Sequence, residues 1–92
     1  MSIDITKPTK IKLQLMVSDV NNAFDEGRKK HDLPKFAQLR LVHLEKRTYS
    51  IIAEQYDSKT FKKIQSKDLQ TGSISNLTYF IFNKFFTSKE VA

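Results

Sequence analysis

The side chains of this chain that are able to do chemistry are mostly cations. Thirteen lysines and three arginines stand against ten acidic residues, giving a net charge of +6 at neutral pH in 92 residues. An excess of that size favours contact with phosphates or another acidic surface. Arginine, the bidentate reader of phosphate and guanine, is scarce, so the expected contact is with a nucleic-acid backbone and only weakly with its sequence. The candidate phosphate contacts are Lys10, Lys12, Arg40, Lys46 and Arg47, with Lys59, Lys62 and Lys63 as a second patch. A Lys-, Asn-, Ile- and Phe-rich composition is also what AT-rich codon usage produces, so charge alone names no ligand.

Catalytic chemistry finds little to work with. The carboxylates are scattered, and the two histidines, His31 and His43, have no Cys and no close carboxylate beside them in sequence. No metal-ligand spacing is present. His31 reads as a cation ending a helix and His43 as a packed residue. Gly27 and Gly72 are the only glycines, which removes phosphate-binding and dinucleotide-binding glycine loops. The expectation is a binding protein and not an enzyme, with no catalytic residue, metal or cofactor. The chain has no cysteine, and its first residues lack the apolar run of a signal peptide. An intracellular location, cytoplasmic or nucleoid or nuclear, is expected.

The elements that must position these residues follow from hydrophobic period. Thr9 to Val17 alternates, with Ile11, Leu13, Leu15 and Val17 on one side, and predicts a half-buried strand. Ser18 offers an N-cap to a helix that carries Val20, Ala23 and Phe24 and ends in Arg28, Lys29, Lys30 and His31. From Phe36 to Ile52 the apolar residues define no helical stripe. A hairpin turning at Glu45-Lys46-Arg47 puts Leu39, Leu41, His43, Tyr49, Ile51 and Ala53 on one face and Gln38, Arg40, Val42, Ser50 and Ile52 on the other. Asp57 or Ser58 then caps a predicted second helix through about Leu69, with Phe61 and Ile64 inward and a lysine stripe outward.

Leu77 to Phe86 holds four of the seven phenylalanines and is apolar on every side. Read as a strand it is covered on both faces, and its second face asks for a partner. Tyr79, Phe80, Phe82, Phe85 and Phe86 are the candidate interface residues of an alternative function, a regulatory or interaction module that dimerises or docks a partner there. At about ten residues the stretch is too short to span a membrane as a helix, so no membrane contact is expected.

Strand, helix, strand, strand, helix, strand is the ferredoxin-like, split βαβ order: an α+β domain with two helices on one face of an antiparallel sheet. Residues 1–8 read as an arm, 9–86 as the single domain and 87–92 as a polar tail. The sheet's open face, rimmed by Lys46 and Arg47, is then the expected binding surface. Arg47-Thr48-Tyr49-Ser50-Ile51-Ile52-Ala53-Glu54 resembles the third-strand signature of the RNA recognition motif. That family turns the residues equivalent to Tyr49 and Ile51 to the open face, whereas the burial pattern here sends them to the core, and no family is assigned. The expected partner is nucleic acid, DNA or RNA, with a homodimer or protein partner as the alternative.

Overall fold

The computed structural model describes residues 8–86. The expected arm, apart from Pro8, and the tail lie outside them. The elements run α1 (Lys10–His31), β1 (Lys35–Glu45), β2 (Thr48–Asp57), β3 (Lys63–Gly72) and α2 (Ile74–Ile81), closed by a π-helical turn, Phe82–Phe86. The three strands form an antiparallel sheet in the order β1-β2-β3. The result is a small α+β fold with two helices, but the ferredoxin-like order is corrected to helix, three strands, helix.

Three assignments change, each for a physical reason. Residues 10–17, expected as a strand, are the first turns of α1. Leu13, Met16, Val17 and Val20 recur at helical spacing and are buried, whereas Ile11 and Leu15, counted as strand core, are 69% and 60% exposed. Thr9 is the N-cap, its Oγ accepting the Lys12 N–H at 3.1 Å, and Ser18 lies inside the helix. The second half of the helix expected through about Leu69 is instead part of β3, Lys63–Gly72, and Phe61 and Ile64 are exposed instead of inward. The aromatic stretch is α2 and its π turn, not a strand. Ser73 caps it by accepting the Asn76 N–H at 3.2 Å, and Leu77, Thr78 and Ile81 are its buried face.

The hairpin register is as expected away from the turn: His43 pairs with Tyr49, Leu41 with Ile51 and Leu39 with Ala53. The turn itself is shorter than the expected Glu45-Lys46-Arg47, because Glu45 pairs with Thr48 and the extra residue is taken up by a bulge at Leu44, leaving Lys46-Arg47. His43, expected as a packed residue, is exposed near the sheet's end. Leu39 and Ile51 join Leu13, Met16, Val17, Val20, Leu77 and Ile81 in one core. Both helices therefore cover the same sheet face. The other face carries Phe36, Gln38, Arg40 and Val42 on β1 and Ser50, Ile52, Glu54 and Tyr56 on β2.

α1 is fastened along the free edge of β1 by a side chain acting as a strand. Asn21 donates from Nδ2 to the Leu39 carbonyl at 3.0 Å and accepts the Leu39 N–H on Oδ1 at 2.7 Å. An edge strand's unpaired backbone groups are thus satisfied at Leu39. Two helical turns on, Arg28 lies over the ring of Phe36 at 5.1 Å. Seven helical residues and three strand residues each advance about 10 Å, so helix and strand run antiparallel in step.

Candidate nucleic-acid interface

Three chain segments meet where β1 begins and β2 ends. α1 stops at Asp32, held at φ 49, whose N–H reaches the Lys29 carbonyl at 3.4 Å while the Leu33 N–H reaches Arg28's at 3.1 Å. This helix-closing motif leaves Arg28, Lys29, Lys30 and His31 in the last turn. The β2–β3 turn is latched to it: Ser58 donates its N–H to the Pro34 carbonyl at 2.9 Å and its hydroxyl to the Leu33 carbonyl at 2.7 Å.

Asp57 builds that turn. Its Oδ1 accepts the backbone N–H groups of Lys59 at 2.8 Å and Thr60 at 2.9 Å, and the Thr60 hydroxyl at 3.3 Å. Bonds from Thr60 and Lys59 hold the Asp57 carboxyl below the usual carboxylate range. The Phe61 N–H then closes on the Asp57 carbonyl at 2.9 Å, and the Asp57 N–H on that of Lys62 at 3.0 Å. The fold places Phe61 at φ 59, in the left-handed region that favours glycine.

The rings of this corner touch one another on the open face. Phe36 stacks across the strands on Tyr56, centroids 5.6 Å apart and planes 20° apart, and Phe61 meets Phe36 edge-on at 6.0 Å. Phe36 and Tyr56 are half-buried, while Phe61 is 62% exposed. Arg28, over Phe36, is oriented by Asp25, which accepts from its Nη2 at 2.7 Å and its Nε at 3.2 Å. Lys29 completes the group at 3.2 Å from the same carboxylate, and Arg28 and Lys29 hold the Asp25 carboxyl low.

Next along the open face, Glu54 is 4% exposed and gathers two cations. Arg40 donates to both carboxylate oxygens at 3.2 Å, Tyr56 donates its hydroxyl at 3.0 Å, and the Lys63 ammonium stands at 3.5 Å. Arg40 lowers the Glu54 carboxyl's affinity for a proton, and donation to Glu54 raises the Tyr56 phenol. One negative charge thus fixes two positive ones, and the group keeps a net positive charge.

The structure divides the eight cations expected to bind phosphate. Lys59, Lys62 and Lys63 lie at this corner, on a turn and strand instead of a helix, with Arg40 beside them. Lys46 and Arg47 form the β1–β2 turn at the opposite end of the sheet. Lys10 and Lys12 lie in the first turn of α1 and not on an open strand. Lys10 sits over Tyr49 at 5.6 Å; Tyr49 stacks on His43 at 4.7 Å, and His43 Nε2 lies 2.7 Å from the Lys46 carbonyl.

Sequence reasoning missed Lys35, Phe36, Tyr56 and Phe61 as site residues and took Arg28, Lys29 and Lys30 as a helix end only. A signal for one pair was available, because extending the hairpin register from His43 opposite Tyr49 brings Phe36 opposite Tyr56. The expected interface residues pack largely within the chain. Phe85 meets Phe24 edge-on at 6.0 Å, Phe82 stacks on Phe86 at 6.4 Å, and Tyr79 is 43% exposed. Asp19, Val20, Ala23, Phe24, Phe85 and Phe86 line a groove of about 340 Å³.

Among the described residues no group of three or more His, Cys, Asp or Glu side chains is placed to hold a metal, and no helix is long and apolar enough to cross a membrane. Comparisons with protein-family models, curated proteins and solved structures gave no match.

Proposed function

We infer that the protein is a small, non-enzymatic nucleic-acid-binding protein that grips the phosphate backbone with weak sequence preference. The observation that carries this reading is the convergence of Arg28, Lys29, Lys30, Lys35, Lys59, Lys62 and Lys63 on one corner of an open sheet, around aromatic rings. Among the described residues the side chains of Lys35, Lys59 and Lys62 make no ion pair, which leaves them for phosphates. Lysine contacts act as point charges and predict a steep salt dependence, about 0.7 to 0.9 log units of affinity per phosphate for each tenfold in salt.

The test is fluorescence anisotropy of labelled oligonucleotides at two salt concentrations, comparing charge reversal at the two ends of the sheet. Lys59→Glu with Lys62→Glu abolishes binding, and Lys46→Glu with Arg47→Glu weakens it far less. No salt-sensitive binding at low salt overturns the reading; equal loss from both ends removes its placement at this corner.

A second reading, docking or dimerisation through Tyr79, Phe80, Phe82, Phe85 and Phe86, is favoured by the apolar groove beside Phe85 and Phe86. It predicts a concentration-dependent mass by light scattering, lost on Phe86→Asp. A strictly monomeric protein at high concentration removes its self-association form.

A further inference from the structure

We propose that this corner takes single-stranded nucleic acid, with Phe61 as the platform on which an unpaired base stacks. The proposal rests on the nucleic-acid reading and adds the state of the ligand. Three features of Phe61 carry it.

The first is its backbone. Phe61 occupies φ 59, a left-handed conformation that strains a bulky residue and that glycine adopts freely. The second is its exposure. A residue 62% exposed recovers little of that strain by burial, since among the described residues its one ring contact is the edge-on meeting with Phe36. A conformation strained in this way, with its side chain held out in water, is what a binding residue shows and a packing residue does not.

The third is rigidity. Asp57 binds the turn's N–H groups and Ser58 ties it to Leu33 and Pro34, so the backbone that carries the ring has little entropy left to lose on binding. Phe36, Tyr56 and the Arg28 guanidinium continue the platform along β1 and β2, and Lys59 and Lys62 flank Phe61 in sequence to meet the phosphates on either side of a splayed base.

An aromatic ring discriminates because base faces are available in a single strand and are already stacked on each other in a duplex. Base-on-ring stacking is worth about 1–3 kcal/mol per base, whichever base it is, and corresponds to roughly tenfold in affinity at the lower middle of that range. DNA and RNA both offer the unpaired base. The lysines serve single strand and duplex alike; Phe61 serves the single strand alone.

The experiment measures anisotropy of the full chain against oligo-dT, oligo-U and a duplex of equal length at one low salt concentration. Phe61→Gly is the main variant because glycine suits the backbone, and urea denaturation should leave its midpoint unchanged or raised. Phe61→Trp is the rescue variant. The proposal expects Phe61→Gly to lose about tenfold on at least one single strand and nothing on the duplex, with Phe61→Trp near wild type; the arm that responds tells DNA from RNA. Equal single-strand affinity for wild type and Phe61→Gly overturns it, as does an equal loss on duplex and single strand. If wild type binds all three oligonucleotides equally, the single-strand proposal fails while nucleic-acid binding stands; if it binds none, the underlying reading fails.

Discussion

Replacing Asn21 by Ala should cost the fold about 2 kcal/mol, a large share of its stability, without touching the hydrophobic core. The Asn21 amide satisfies both backbone groups of Leu39, a residue only 5% exposed. Two hydrogen bonds at about 1 kcal/mol each give about 2 kcal/mol. Leaving the Leu39 N–H and carbonyl without partners adds up to 1–3 kcal/mol per group where water stays out, though at a sheet edge water enters and most of that addition is avoided. Alanine's better helix propensity returns about 0.5 kcal/mol. The net is about 2 kcal/mol out of the roughly 5–14 kcal/mol expected for a domain of this size, or about 8–16 °C in melting temperature. Urea denaturation followed by far-ultraviolet circular dichroism should show a lower midpoint at unchanged slope, and amide hydrogen exchange should show lost protection at Leu39. Asn21→Asp should do no better at neutral pH, because it keeps the acceptor, loses the donor and sets a carboxylate against the Leu39 carbonyl. A change under about 0.5 kcal/mol with Leu39 still protected would refute the view that this side chain fastens α1 to β1.

Acid should destabilise the protein through Glu54, Asp57 and Asp25. Each has its folded proton affinity lowered, by Arg40, by Thr60 and by Arg28 respectively. A lowered folded pKa gives stability that is present above the unfolded values, about 3.9 for Asp and 4.3 for Glu, and is lost as pH falls through the folded values. The urea midpoint should therefore decline below about pH 4.3, and Glu54→Gln should begin lower but decline less; parallel profiles would remove Glu54 from the account. Ile51→Ala should cost about 2–5 kcal/mol because its side chain is fully buried. Ile11→Ser should stay within about 0.5 kcal/mol, as the 69% exposure of Ile11 in a helix requires. A large loss at Ile11 would restore the strand reading of residues 10–17.

The hairpin was legible because a period of two, repeated on both sides of a short polar turn, allows one register that turns Leu39, Leu41, Tyr49 and Ile51 to the core together, burying Leu39 and Ile51 and half-burying the other two. The first element was not, because its apolar residues fit two periods at once. Ile11, Leu13, Leu15 and Val17 alternate, while Leu13, Met16, Val17 and Val20 lie at helical spacing, and only packing against β1 and α2 selects the second set. β3 gave no strand signal since from Lys63 to Asp68 every residue is exposed and Leu69 is merely half-buried. A strand with no buried face has no alternation to read. In the aromatic stretch the period is silent for the opposite reason, being apolar all round, and the arbiter was Ser73, whose capping of Asn76 marks a helix start. Of the candidate site, Phe36 opposite Tyr56 was implicit in the hairpin register, whereas the backbone of Phe61 depends on how Asp57 folds the turn.

The location of the aromatic corner follows from the same geometry. α1 and β1 run antiparallel and in step from Asn21 beside Leu39 to Arg28 beside Phe36, so the helix must reverse where β1 begins. Antiparallel pairing brings the end of β2 and the start of β3 to that same place, and two chain reversals with their polar, lysine-bearing loops are stacked together. The charge of the chain is in this way sorted by topology into two ends of the sheet, Lys10, Lys46 and Arg47 at one and the lysines around Phe61 at the other. At the first end the rings of His43 and Tyr49 stack on each other and Lys10 lies over Tyr49, so the Tyr49 ring is already engaged. At the second a strained, exposed ring stands among cations. Charge is shared by both ends, but an open stacking surface belongs to one, and that difference places the candidate site at Phe61.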